Sequence, residues 1–232
     1  MQITHSRGLA SSRYRVRVCQ NKHCSKANGG RALLTNLANL IPPSTLIEFE
    51  ASGCLSECGE GPNVEVVSSD GRSFIYKGVN DADSARDLLK NACEFQVPSI
   101  LAAAVAVMNR AEKTIRVEER ENMVTSVIYA LERDDCNVGK DSHALASAFV
   151  MRADARLALD EPNVEGALAD SRRAAAIDPS NGRVWRVLAE SEEASGHLDK
   201  AVAAVKKWGQ VDPESATKAA KESDRLNNYS QP

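Results

Sequence analysis

Four of the six cysteines fall into two close pairs, Cys19 and Cys24 with four residues between them and Cys54 and Cys58 with three. Thiolates at this spacing wrap one face of an inorganic site, and iron–sulfur clusters are held by cysteine thiolates presented in such short runs. Four thiolates satisfy two irons. Zinc also accepts four cysteines, with a preference for gaps of ~2–4 residues in ribbon or finger contexts. A pair of disulfides would use the same residues, although a chain without an export signal is a poor setting for them, and a degenerate empty site is the remaining reading. Gly53, Gly59 and Gly61 flank the second pair. Glycines there let a loop approach a cluster and aim backbone N–H groups at its sulfurs, which raises a reduction potential. Lys22 and His23 lie inside the first loop, where they either moderate the negative charge of a cluster or belong to an ordinary solvated loop.

Outside these pairs, little in the sequence can make or break bonds. Cys93 and Cys136 stand alone, and a lone thiol is more often inert than nucleophilic. His143 and His197 are isolated, the latter placed at a helix start. No Ser, His and Asp arrangement and no phosphate-binding loop is present, so no catalytic residue is assigned and the chain is not expected to be an enzyme.

The elements around the cysteines are readable from their periods. Tyr14 to Val18 alternates as a half-buried strand and delivers Cys19 at its end. Asn28, Gly29 and Gly30 supply a turn, after which Leu33, Leu34, Leu37, Leu40 and Ile41 recur at helical spacing until Pro42 and Pro43. Thr45 to Phe49, Val64 to Val67 and Ser73 to Gly78 read as strands expected to pair antiparallel, with hairpin turn chemistry at Ser69, Asp70 and Gly71. Asp81 to Glu94 places Ala85, Leu88, Leu89 and Ala92 on one face of a closing helix.

Pro98 and Ser99 mark a change of regime to Ala-rich segments of helical period. Ser99 is placed as the cap of a helix running to about Lys113, and Met123, Val124, Val127, Ile128 and Leu131 form the apolar face of the next. A loop from Asp134 to Asp141 follows. Asp178 and Pro179 recur as Asp212 and Pro213 after 34 residues, as Ala155 recurs at Ala189 and Ala167 at Ala201. That is the tetratricopeptide period, and small residues fit where paired helices approach closely. Trp185, Leu188, Ala189, Ala201 and Pro213 resemble the tetratricopeptide pattern, with Ala189 in place of its Gly, Glu192 in place of an aromatic and Asp154 at a normally apolar position. Two such units bury too little surface alone, so the helices of 99–133 are expected to complete the stack. The terminal NNYSQP is expected to fray.

The run VCQNKHC followed by CLSECGEGPNV resembles the thioredoxin-like 2Fe-2S ferredoxins, a family that includes a small subunit of respiratory complex I. The resemblance covers about residues 13–95 in matching element order. Plant-type ferredoxin spacing does not fit. The 29 residues between the pairs are somewhat fewer than in the complex I subunit. The resemblance implies a 2Fe-2S cluster on Cys19, Cys24, Cys54 and Cys58. The expected fold is therefore α/β plus all-α: a thioredoxin-like ferredoxin domain over residues 1–97, then a short tetratricopeptide-like α-solenoid over 98–225. A cluster without a substrate constellation implies a one-electron carrier or relay, docked through its helical repeats to a larger complex. A structural or assembly subunit of a photosynthetic or respiratory membrane complex, with a mainly structural cluster, is the alternative. An appendage regulating a separate catalytic chain is a third reading.

Composition narrows the partners. The net charge of -3 supplies no basic footprint for nucleic acid, and 43% hydrophobic with 26% charged residues is ordinary for a globular protein. The longest uncharged apolar run, Ile100 to Met108, is about half of the ~20 residues that cross a bilayer, so attachment to a membrane complex is expected to be peripheral. Arg7, Arg13, Arg15, Arg17, Lys22, Lys26 and Arg31 precede the first acid, Glu48. This basic start reads as a docking face, as the remnant of an organellar targeting segment, or as an edge strand guarded by arginines. It points to a plastid, at the chloroplast stroma or thylakoid periphery, with the mitochondrial matrix as alternative.

Overall fold

The computed structural model describes residues 13–26, 29–43, 45–133 and 138–229. The chain divides after Pro98 into two compact units, the first mixed α/β and the second helical. Arg7, Asn28, Cys136 and the 134–137 part of the expected loop lie outside the described residues.

The first unit holds β1 (Tyr14–Cys19), α1 (Lys22–Lys26), α2 (Gly30–Asn39), β2 (Ile47–Ser52), β3 (Val64–Ser68), β4 (Ser73–Tyr76) and α3 (Ala82–Ala92). Its sheet has the order β2-β1-β3-β4. Alternation in β1 turns Tyr14, Val16 and Val18 into the core, and Val64, Val66, Leu33, Leu37 and Leu89 are buried as well. Full burial of each such aliphatic side chain is worth about 1.5–3 kcal/mol. The expected hairpin forms as β3 and β4, antiparallel around Gly71 with φ at +85°. Asp81 caps α3 by accepting from the Ser84 N–H at 2.7 Å.

Two expectations change. β2 pairs parallel to β1, not antiparallel to its sequence neighbours, because α2 is the crossover that parallel pairing requires. β1 is consequently a central strand, and its arginines guard no edge. They stand on the sheet face opposite the core, where Arg17 reaches Glu50 at 3.1 Å on one side and Glu65 at 2.6 Å on the other. Such cross-strand opposite-charge pairs favour this register over a one-residue slip.

The second unit comprises α4 (Ser99–Glu112), α5 (Val117–Glu132), α6 (His143–Leu157), α7 (Val164–Ile177), α8 (Gly182–Ala194), α9 (Leu198–Val211), a 3-10 turn (Pro213–Ser215) and α10 (Ala216–Tyr229). Ser99 is the first residue of α4 and not its cap. Ser142, Asn163 and Asn181 do cap α6, α7 and α8 through their side-chain oxygens. Successive helices pack on one another, and α6 also touches α4 and α8, so alternate helices form a layer. Ala155, Ala167, Ala189 and Ala201 are buried at the contacts. α10 continues through Asn227, Asn228 and Tyr229 of the NNYSQP tail expected to fray, and Ser230, Gln231 and Pro232 lie outside the described residues.

The departures from the repeat pattern resolve into ion pairs. Asp154 faces Arg183 at 3.2 Å and Arg186 at 3.3 Å. Glu192, buried where an aromatic was expected, takes Arg172 at 2.8 Å and the His197 ring at 2.9 Å. His143 is not isolated, since its Nδ1 lies 2.9 Å from the Oδ2 of buried Asp178.

That last pair sets a pH window. The Asp178 hydrogen bond outweighs burial and raises the His143 pKa above its ordinary 6.5. For Asp178, burial acts upward, and hydrogen bonds from His143 and Ser180 outweigh it, leaving the pKa below the ordinary 3.8. The histidine's contribution is complete below its unfolded value and is lost as pH rises through the folded one; the aspartate's is lost as pH falls through its own depressed value. The stability difference between the native chain and a His143→Gln variant is therefore expected to be greatest near pH 5–6 and to shrink toward pH 9, read by urea unfolding at each pH.

Candidate metal centre

The sheet brings the cysteine loops to one end. β1 runs parallel to β2 and antiparallel to β3, so the end of β1 lies beside the end of β2 and the start of β3, with Cys19 opposite Ser52 and Val18 opposite Val64. Cys19 is the last residue of β1, as expected from the alternation. From there the chain turns into α1, a short helix without a periodic signal, in which Cys24 is the buried residue. The Asn21 side chain accepts from the His23 N–H at 3.2 Å and shapes this turn. The second loop, residues 53–63, carries Cys54 and Cys58 between β2 and β3.

Backbone bonds tie the loops together. The Cys19 N–H donates to the Asn63 carbonyl at 3.1 Å, and the Gln20 N–H donates to the Ser52 carbonyl at 2.9 Å. Asn63 is 1% exposed, and its Nδ2 donates to the Glu57 carbonyl at 2.6 Å, between Cys54 and Cys58. Its Oδ1 has no hydrogen-bond partner among the described residues. Asn63 is the residue that the sequence reading missed. The only signal was the GPN run directly before a strand.

The thiols are arranged in pairs at this end of the sheet. Cys54 Sγ and Cys58 Sγ stand 3.7 Å apart, close to the separation of ~3.8 Å for two thiolates on one tetrahedral metal with bonds of ~2.3 Å. The Cys19 thiol neighbours those of Cys24 and Cys54. Cys19 and Cys24 are buried, and Cys54 and Cys58 are exposed. Among the described residues no three or more His, Cys, Asp or Glu side chains converge as a ready-made site for a single ion. The thiols associate pairwise.

Backbone N–H groups serve these sulfurs. Burial pushes the Cys19 thiol up, but the N–H groups of Leu55 and Asn21 and the Cys24 and Cys54 thiols outweigh it and leave the pKa below the ordinary 9.0. Burial raises Cys24, with the Asn63 N–H acting against it and Cys19 and Cys58 adding to the rise. Cys58 is raised by its hydrogen bond with Cys54. The Ser56 N–H donates to Cys54 Sγ at 3.4 Å. Backbone donors gathered around sulfur stabilise thiolates and recur at iron–sulfur sites; a neutral disulfide has no need of them. This donor set fits a thiolate-held metal centre.

The glycines divide by role. A Cβ on Gly61 would stand 2.8 Å from Cys24 Sγ, and one on Gly29 would stand 2.6 Å from the Cys24 carbonyl oxygen. Gly53 and Gly59 face open space, Gly59 with a φ of +116°. Close approach is thus the work of Gly29 and Gly61. Gly61→Ala is expected to displace the Cys24 thiol and, if the thiols hold a metal, to lower about 10–100-fold the chelator concentration that strips half of it, while Gly53→Ala leaves it unchanged. Lys77 bridges Glu57 and Glu60 at 2.8 Å each and offsets their charge beside the loop. Lys22 and His23 are exposed on α1. Cys93, on the far end of α3, is 3% exposed, and burial pushes its thiol up to about 12.

No protein-family model matches the chain, and no curated protein matches it. Among the described residues no helix is long and apolar enough to cross a membrane.

Proposed function

We propose that residues 1–97 form a thioredoxin-like ferredoxin domain that holds a 2Fe-2S cluster on Cys19, Cys24, Cys54 and Cys58, and that the chain is an electron carrier or relay. The observation that carries this reading is that the sheet register brings both cysteine loops to one end, with Cys54 and Cys58 Sγ 3.7 Å apart and the Ser56 N–H donating to Cys54 Sγ. When bound, the cluster supplies one-electron transfer. The chain's own residues hold the thiolates, neutralise them with backbone dipoles and cover one side: Cys19 and Cys24 are shut in, while Cys54 and Cys58 face solvent, the side from which a redox partner approaches.

Residues 98–225 are read as a tetratricopeptide-like stack that docks the chain on a larger respiratory or photosynthetic assembly. The recurrence has structural support, since Asp178 and Asp212 both follow the last residue of a second helix and Ala155 and Ala189 are both buried on first helices. The compartment that fits the acid-free basic start is a plastid, with the mitochondrial matrix as alternative. In a structural or assembly subunit the same thiols would hold a cluster that does not cycle. A potentiometric titration of the intact protein, followed by absorbance and electron paramagnetic resonance, separates these. A reversible one-electron transition supports the carrier, and a cluster that decomposes on reduction or stays oxidised at every accessible potential contradicts it.

A further inference from the structure

We propose that Cys54 and Cys58 are also a thiol–disulfide site: in the metal-free chain they are oxidised to a disulfide by low-molecular-weight disulfides, which withholds the site from metal until it is reduced. The inference rests on the reading that these same thiols are cluster ligands, and it starts from an asymmetry between the pairs. Cys19 and Cys24 are each 1% exposed, whereas Cys54 and Cys58 are open to solvent. Exchange requires a thiolate to meet an incoming disulfide in line, so access decides which thiols react first.

The second pair is also placed to resolve the mixed disulfide. Its sulfurs are 3.7 Å apart and must close to ~2.05 Å, a movement within reach of side-chain rotation. The loop flanks are open, since no heavy atom beyond the adjoining residues lies within 4 Å of a Cβ position at Gly53 or Gly59. Ser56, with φ at 64°, already turns the chain between the two cysteines. Cys19 also neighbours Cys54, but its backbone is pinned by the bond to Asn63 and its sulfur is enclosed.

The chemistry balances with one disulfide reagent. A thiolate of the pair attacks a sulfur of the reagent, a protein–reagent disulfide forms and one reagent thiolate leaves. The second protein thiolate then attacks the protein sulfur of that bond and expels the other reagent thiolate. The two protons lost by Cys54 and Cys58 end on the two reagent thiols, so the protein pair is oxidised by two electrons and the reagent disulfide is reduced. Only Cys19 and Cys24 then remain as thiolate donors at the site.

The test uses the full chain, metal-free and reduced, equilibrated with glutathione and glutathione disulfide in graded ratios, alkylated and mapped by mass spectrometry. Glu57 lies between the two cysteines, so cleavage after glutamate leaves peptides joined there only by the disulfide. The expected result is a Cys54–Cys58 bond with Cys19, Cys24 and Cys93 still reduced, and complete loss of cluster assembly from iron and sulfide until a dithiol is added. A Cys58→Ser chain should instead retain one glutathione on Cys54. Stable glutathione adducts on the native pair, a bond involving Cys19 or Cys24, or full cluster assembly by the oxidised chain would overturn the inference. If the reduced chain assembles no cluster while the mapped bond forms, the cluster reading fails and the disulfide stands. If the cluster assembles and no such bond is found, the reverse holds.

Discussion

Asp170→Asn is expected to destabilise the helical unit by about 3–5 kcal/mol, the range for removing one partner of a buried ion pair. The Asp170 side chain is 4% exposed and sits between two guanidinium groups, at 2.7 Å from Arg152 and 2.9 Å from Arg156, themselves 12% and 18% exposed. Arg152 grips it with two nitrogens, each at 2.7 Å. An amide of the same size keeps the shape and removes the charge, which leaves two enclosed cations, of which Arg156 keeps Glu121 at 2.8 Å. Replacing Asp170, Arg152 and Arg156 together with Leu, Met and Met should recover most of the loss, because the expense lies in the uncompensated charge and not in the missing bond. Removal of the exposed Arg15 and Glu48 pair, 3.9 Å apart and open to water, should leave the unfolding midpoint unmoved. Thermal unfolding of the full chain by far-ultraviolet circular dichroism reads all three. A drop in Tm of about 10 °C is expected for Asp170→Asn alone.

If the proposed cluster is present, Cys24→Ser is expected to abolish its visible absorption while the helical signal persists. Cys24 is 1% exposed, with Gly61 closely approaching its sulfur and Gly29 its carbonyl. A hydroxyl in its place is a harder, shorter ligand, and an iron left with one protein thiolate is open to water and to loss. Cys93→Ser serves as the matched control. That thiol is also buried, but it is the C-cap residue of the closing helix, where burial alone pushes it up. Iron and sulfide per chain should be unchanged in that variant.

Local patterns told much of this fold. Alternation in Tyr14–Val18, the Leu33 and Leu37 face, the turn at Asp70 and Gly71 and the cap at Asp81 each depend on residues a few positions apart, and all are visible in the sequence. What escaped depends on distant partners. The central place of β1 follows from pairing with β2 and β3 at once, and only then do Arg15 and Arg17 find Glu48, Glu50 and Glu65. Asp154 and Glu192 looked like faults in a repeat because their counter-ions, Arg183 and Arg172, come from neighbouring helices. At the candidate site the cysteine pairs were legible from spacing. The exposure difference between the pairs was not, nor was the Ser56 N–H donor to Cys54, because a backbone N–H leaves no mark in residue identity. α1, five residues long, is too short to show a period.

The most direct test is the visible absorption spectrum of protein purified without oxygen, before and after dithionite, with iron and sulfide quantified on the same sample. Broad bands between ~400 and ~600 nm that bleach on reduction, with two irons and two sulfides per chain, are the predicted result. A colourless protein that holds zinc, or no metal at all, would contradict the electron-carrier account.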